Sequence, residues 1–300
     1  MAQDPEIDNP RPVAESPFQP IHRPRRRRAR RLGFAVVGLF AAWLLISFAV
    51  AYKLTQRHHP PYPEPPPTVA WAKFEGLRLK TPDGQGIGGW FADGRDDAPT
   101  VLFLHGNGGG RRHCLGRAEI LARELGCAVM LISLRAHGDS TGDFNDIGLS
   151  ARHDVAAAVD FLRERRPNRP IVVFGVSLGS AAAAFAGDEL GGKVDGYVLE
   201  SPYQDLKTAV RNRTRAALPT PFEQFAYLGL RTAALVLLPR LDEIAPVEAV
   251  AAIPEDVPIL IMSGEADDLA TPEEARAIFD RVRTHARLEA MRLLNWRMTE

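Results

Sequence analysis

The stretch Ile171-Val172-Val173-Phe174-Gly175-Val176-Ser177-Leu178-Gly179 decides how this chain is read. Four apolar residues, three of them β-branched, run into Gly-x-Ser-x-Gly, and an alanine-rich segment from Ser180 to Ala186 follows. Strand, sharp turn and helix in that order lift a serine out of a sheet as a nucleophile. Gly175 and Gly179 suit a turn too tight for Cβ atoms, and Ser177 is expected to hold strained backbone angles. The competing reading is a glycine-bounded turn whose serine caps a helix.

Outward from this stretch, short apolar runs alternate with segments of helical spacing, the pattern of a mostly parallel sheet covered on both faces. Val101 to Leu104, Ala128 to Ile132, Ile171 to Phe174, Tyr197 to Leu199 and Pro258 to Met262 read as buried strands. Arg112 to Leu125, Ala151 to Arg165 and Thr271 to Val282 read as helices, with Val155, Val159 and Leu162 on one helical face. Phe74 to Lys80 and Ile87 to Phe91 flank Asp83-Gly84 and read as an antiparallel edge hairpin. Pro202 to Pro254 is a longer insert with two apolar helical stretches, expected to cap the sheet.

Chemistry-bearing residues fall at strand ends. His105-Gly106-Asn107-Gly108-Gly109-Gly110 follows the run ending at Leu104. The backbone N–H groups of Asn107 and Leu178 are the expected oxyanion donors of an acyl transfer. A flexible loop or a phosphate cradle is the alternative, but the Gly-Lys-Ser/Thr of a Walker-type cradle is absent. His105 reads as an orienting residue rather than a base. The loop from Leu134 to Gly142 reads as structural. Asp267, just past the run Ile259 to Met262, is the candidate acid that would fix a histidine tautomer. Asp268 is the runner-up, and an N-cap role before the helix after Pro272 is the plain alternative.

Together these residues resemble the α/β-hydrolase superfamily, in particular membrane-anchored bacterial hydrolases similar to serine aminopeptidases, monoacylglycerol lipases and related esterases. The resemblance covers about residues 70 to 289. It rests on His-Gly-x-Gly-Gly at 105–109, Arg-x-His-Gly-x-Ser-x-Gly at 135–142, the elbow at 175–179 and Gly-x-x-Asp at 264–267. It implies an α/β fold, a hydrolase without cofactor, an acyl-enzyme on Ser177, and an acyl pocket shaped by 202–254. The family's chain order is serine, acid, histidine, with the histidine after the last strand. Downstream of Asp267 the sequence holds only His285, placed before the apparent final strand Ala286 to Leu293 and so expected at the opposite edge from Ser177. Asn295, Trp296 and Arg297 stand where the family would place its base. Two expectations remain: a serine hydrolase of ester or amide acyl groups whose C-terminal end is truncated or altered, or a non-catalytic protein whose pocket binds a ligand or partner.

The N-terminal quarter has a different composition. Arg23, Arg25 to Arg28, Arg30 and Arg31 precede Leu32 to Tyr52, a run with no charged residue. About 20 such residues span a hydrocarbon layer as a helix. A retained anchor is expected, in preference to a cleaved signal ending at Ala49-Val50-Ala51. The arginine excess predicts a single-pass inner-membrane protein with residues 1–31 cytoplasmic and the hydrolase domain, residues 71–300, extracytoplasmic. His58 to Thr68 holds six prolines and reads as a stiff spacer, so residues 53–70 are expected to lie outside the globular fold. Lys plus Arg and Asp plus Glu both number 37, so nothing global indicates a nucleic-acid partner. No Cys/His cluster has metal-ligand spacing, and no metal is expected. Cys114 and Cys127 leave pairing open, as the sequence leaves the oligomeric state.

Overall fold

A computed structural model describes residues 24–291 of the chain. Arg23 and most of the basic tail, and the segment holding Asn295 to Arg297, lie outside the described residues. The chain divides into two compact units, residues 1–43 and 44–300. A helix, α1 (Pro24–Leu54), begins in the first. Its portion Arg28–Leu54 is long and apolar enough to cross a membrane. Leu32, Phe34, Val37 and Leu39 are exposed, as lipid-facing side chains would be.

In the second unit, eight strands form one sheet: β1 (Glu75–Lys80), β2 (Gly86–Ala92), β3 (Thr100–Leu104), β4 (Ala128–Ile132), β5 (Ile171–Val176), β6 (Gly196–Glu200), β7 (Ile259–Gly264) and β8 (Ala286–Met291). Their spatial order is β1-β2-β4-β3-β5-β6-β7-β8. β2 runs antiparallel to both its neighbours, and every other pair is parallel. The expected edge hairpin is therefore present, with Glu75 opposite Phe91 and Lys80 opposite Gly86.

Helices cover both faces: α2 (Leu115–Leu125), α3 (Arg152–Arg165) and α4 (Leu178–Leu190), with α5 (Leu206–Ala217), α6 (Phe222–Leu237) and the one-turn α7 (Pro246–Ala249) in the insert, and α8 (Pro272–Arg281) after it. Alternation along β3 shows why its residues are all apolar. Leu102 and Leu104 pack in one cluster with Val155, Val159 and Leu162 of α3 and Ile278 of α8. Val101 and Phe103 pack in a second with Trp90 and Ala118 of α2. Successive side chains point to opposite faces, so a strand covered on both sides cannot alternate in polarity.

The proline-rich segment departs from expectation: it is bonded to the domain. Trp90 Nε1 and Arg111 Nη2 donate to the Glu64 carbonyl at 2.9 and 2.7 Å, and Ser133 Oγ donates to Glu64 Oε2 at 2.5 Å. The buried Arg111 lies 3.5 Å from the same carboxylate. Arg57 donates to the carbonyls of Gly138, Ser140 and Gly142. Prolines lack a donor but keep their carbonyls, and a buried, paired glutamate between them ties the segment down. Cys114 and Cys127 are free and buried, and burial pushes the Cys114 thiol up to about 12.

Two glycines at the elbow have no room for a side chain. A Cβ on Gly175 would fall 2.5 Å from the Gly179 backbone, and one on Gly179 would fall 2.3 Å from the Leu104 carbonyl oxygen. Gly179→Ala is expected to destabilise the domain by about 1–3 kcal/mol or more, because backbone must move on both sides. Gly116→Ala, in α2 with open space around it, should change stability by less than about 1 kcal/mol in the favourable direction. Denaturant titration of the micelle-solubilised protein checks the pair; equal midpoints would remove the close-packing argument.

Candidate active site

Ser177 is the first residue after β5 and immediately precedes α4. Its φ of 50° and ψ of −103° lie in a region side chains avoid, worth roughly 1–3 kcal/mol of local strain. Hydrogen bonds of Ser177 and of its neighbour Ser180 hold it there. The Ser177 N–H donates to the Glu200 carbonyl at 2.9 Å, and Ala181 N–H donates to the Ser177 carbonyl at 3.1 Å. Ser180 Oγ bonds the carbonyls of Gly175 and Glu200 at 2.8 and 2.9 Å. The helix-cap reading fails, since the Ser177 side chain makes no capping bond. Its hydroxyl is left to the pocket.

The loop after β3 lies against the elbow: a Cβ on Gly106 would sit 3.8 Å from Ser177 Cβ. Asn107, Ser177 and Leu178 line the same pocket. Among the described residues neither the Asn107 nor the Leu178 backbone N–H donates to a protein acceptor. The Asn107 side chain is held, its Oδ1 accepting from Asn145 Nδ2 at 2.7 Å. Sequence reasoning missed Asn145, which stands in an unremarkable loop.

Two of the histidines at this loop, His105 and His137, are spent on structure. His105 Nδ1 donates to the Gly106 carbonyl at 2.7 Å, and its Nε2 accepts from Leu134 N–H at 3.0 Å. His137 Nδ1 donates to the Arg135 carbonyl at 2.8 Å, and its Nε2 accepts from Gly108 N–H at 3.2 Å. Burial lowers His105 well below the ordinary histidine value and His137 to about 4. Arg135 pairs with buried Asp154 and with Asp83, so the 134–142 loop is a structural hub. Arg135 holds the Asp83 carboxyl down at about 2.

Asp267 is buried three residues past β7. Its Oδ1 accepts from the N–H groups of Leu269 and Ala270, each at 2.9 Å. Thr271, with Glu274, caps α8 instead, which removes the N-cap reading of Asp267; Asp268 is exposed. β5, β6 and β7 are adjacent and parallel, so Ser177 and Asp267 follow strands that end at the same sheet edge. Two strand spacings, about 10 Å, separate those strands, room for a bridging imidazole between their side chains. His285 is not at that edge, because its carbonyl accepts from Ile259 N–H at the start of β7.

The pocket over Ser177 is partly open to solvent. Ile147, Tyr203, Leu206, Leu230 and Leu238 supply much of its apolar wall, and Arg213 is the charged residue lining it. Ala51, Leu54 and Thr55, the last turn of α1 and the residue after it, complete it. Nothing in the sequence pairs this turn with the elbow more than a hundred residues downstream.

A family described as alpha/beta hydrolase fold matches residues 99–241. Among solved structures, an esterase from Pyrococcus furiosus superposes with a TM-score of 0.62 at 23% identity, covering 77% of this chain and 88% of that one. The chain has the α/β-hydrolase fold. It is 24% identical over 255 residues to Protein bem46 of Schizosaccharomyces pombe, 81% of this chain and 79% of that protein. It is 27% identical over 147 residues to the lysophosphatidylserine lipase ABHD12 of Gallus gallus, covering 47% of this chain and 38% of the lipase. The match thus spans about two fifths of that lipase.

His105 and His137, the two buried histidines among the described residues, make the stability of the domain depend on pH in a defined direction. Their folded-state values lie below that of an unfolded histidine, so the unfolded chain binds more protons on the acid side. Stability should be level above about pH 7 and fall as pH drops from about 6.5 to about 4. Thermal melts across that range check it, and His137→Gln should remove one of the two contributions. A melting temperature that rises on acidification through this window would contradict the assignment.

Proposed function

We propose that this chain is a membrane-tethered serine hydrolase that cleaves an acyl ester or amide through an acyl-Ser177 intermediate. The observation that carries the reading is the strained Ser177, lining one pocket with Asn107 and Leu178, where among the described residues neither its hydroxyl nor their two backbone N–H groups are engaged. In this reading Ser177 Oγ forms a bond to the substrate carbonyl carbon and gives up its proton to a base. The developing oxyanion is held by the two N–H groups. Collapse of the tetrahedral species expels the alcohol or amine with a proton, and water then frees the acid and regenerates the serine. Asp267 is assigned to orient and stabilise the protonated imidazole of that base.

The apolar pocket supports an acyl chain as the substrate's larger part, and Arg213 at its wall offers a cation to an anionic head group. The Gallus gallus relative, named as a lysophosphatidylserine lipase, supports the same class. The arginine-rich stretch before α1, against Lys53 and Arg57 after it, supports a cytoplasmic N-terminus and an exported hydrolase domain at the inner membrane.

A second reading, a non-catalytic binder built on the same fold, is favoured by one observation. Among the described residues, His105 and His137 spend their ring nitrogens on backbone groups and His285 lies at the opposite end of β7 from Asp267, so the base that takes the Ser177 proton has no assigned residue. A fluorophosphonate probe separates the two readings. The enzyme reading expects labelling that disappears in Ser177→Ala and drops by at least about a hundredfold in rate when the oxyanion geometry is disturbed, as in Leu178→Pro. An unlabelled wild type in the folded state would leave the binder.

A further inference from the structure

Helix α6 has two apolar faces. Leu230, Ala234 and Leu237 face the Ser177 pocket. Phe222, Leu228, Leu235 and Val236 are 52% to 69% exposed. An exposed apolar stripe of this size is unusual on a water-soluble cap. The neighbouring part of α1 accounts for it. Leu44, Leu45 and Phe48 form an apolar cleft with Gly229, Thr232, Ala233 and Val236 of α6. Residues 44, 48, 51 and 55 follow helical spacing, so one face of α1 runs from that cleft to the pocket, which Ala51 and Thr55 line.

Depth follows from helix geometry. The uncharged run of α1 ends at Tyr52, before Lys53. Ten helical residues rise about 15 Å, half of a hydrocarbon layer of about 30 Å. Leu44, Leu45 and Phe48 therefore belong to the leaflet on the side of the folded domain, and the α6 residues across the cleft lie at the same depth. Beyond its first turn α6 holds one charge, Arg231, exposed, and a side chain of that length reaches the head groups. The small residues Gly229, Thr232 and Ala233 keep the cleft narrow and free of bulk, as at helix pairs within lipid.

We propose that α6 is embedded in the same leaflet as the C-terminal half of α1, and that the cleft between them admits a bilayer lipid's acyl chain sideways to the Ser177 pocket. The second half of this proposal rests on the hydrolase reading. The anchor is then a wall of the substrate site as well as a tether. A chain passing along this route stays among apolar side chains instead of crossing water.

The test uses the full chain in phosphatidylcholine vesicles, with an environment-sensitive nitrobenzoxadiazole label at Leu235→Cys or Val236→Cys. Cys114 and Cys127 are buried and leave the label to the new site. Ile120→Cys on α2, 61% exposed, is the control. Blue-shifted emission and quenching by acyl-chain nitroxide lipids at 235 and 236, with neither at 120, is the expected result. Water-like, unquenched labels at both α6 positions overturn the embedding. In a second arm, Leu235→Glu should slow hydrolysis of a long-chain monoacylglycerol in vesicles about tenfold, with p-nitrophenyl butyrate in water unaffected. Equal rates for variant and wild type on both substrates overturn the sideways admission. A wild type that hydrolyses neither ester overturns that admission together with the hydrolase reading, while quenched labels would still establish the embedding.

Discussion

Three backbone segments approach each other at the elbow without intervening side chains, and the site depends on that contact. Gly175 presses against the Gly179 backbone, and Gly179 presses against the Leu104 carbonyl. Because α4 enters so close to β3 and β5, Ser177 has no relaxed conformation available and is held at positive φ. The strain is opposed by bonds to the Glu200 carbonyl, and Glu200 is itself held by Arg117. Parallel neighbours β3, β5, β6 and β7 then bring the ends of four strands to one edge. Asn107, Ser177 and Asp267 all follow from that arrangement.

The same edge receives the chain's N-terminal part. Arg57 bonds three carbonyls of the 138–142 loop, and Glu64 is buried beside Arg111 and Ser133. The loop so clamped carries His137, which accepts from Gly108 in the loop that holds Asn107. A continuous set of bonds therefore connects the end of the anchor to the candidate oxyanion donors. A charge buried in this way is costly unless paired, which makes the Glu64 network a firm attachment and not an incidental contact.

Much of the fold was legible in the sequence because its strands are short, apolar and punctuated by turn residues. The elbow, the edge hairpin, the cap helices and the membrane-length helix all carry local signals of that kind. Asp267 was legible too, as a carboxylate just after a late strand. The buried proline segment was not: composition records that prolines lack donors, but not that a glutamate among them would meet an arginine at position 111. Asn145, Arg213 and the last turn of α1 were invisible for a related reason, since each gains its meaning from a partner far along the chain.

Periodicity, glycine spacing and an uncharged run of 21 residues were enough to determine a two-faced parallel sheet, a serine on a strained turn and an apolar N-terminal helix. These are local properties, written in the covalent and steric preferences of neighbouring residues. Only the tertiary structure decided that the anchor's last turn shares a pocket with Ser177, that both loop histidines are consumed by backbone bonds, and that His285 sits at the wrong sheet edge. Such facts depend on which strands become neighbours and where distant segments dock, and no short-range pattern encodes that.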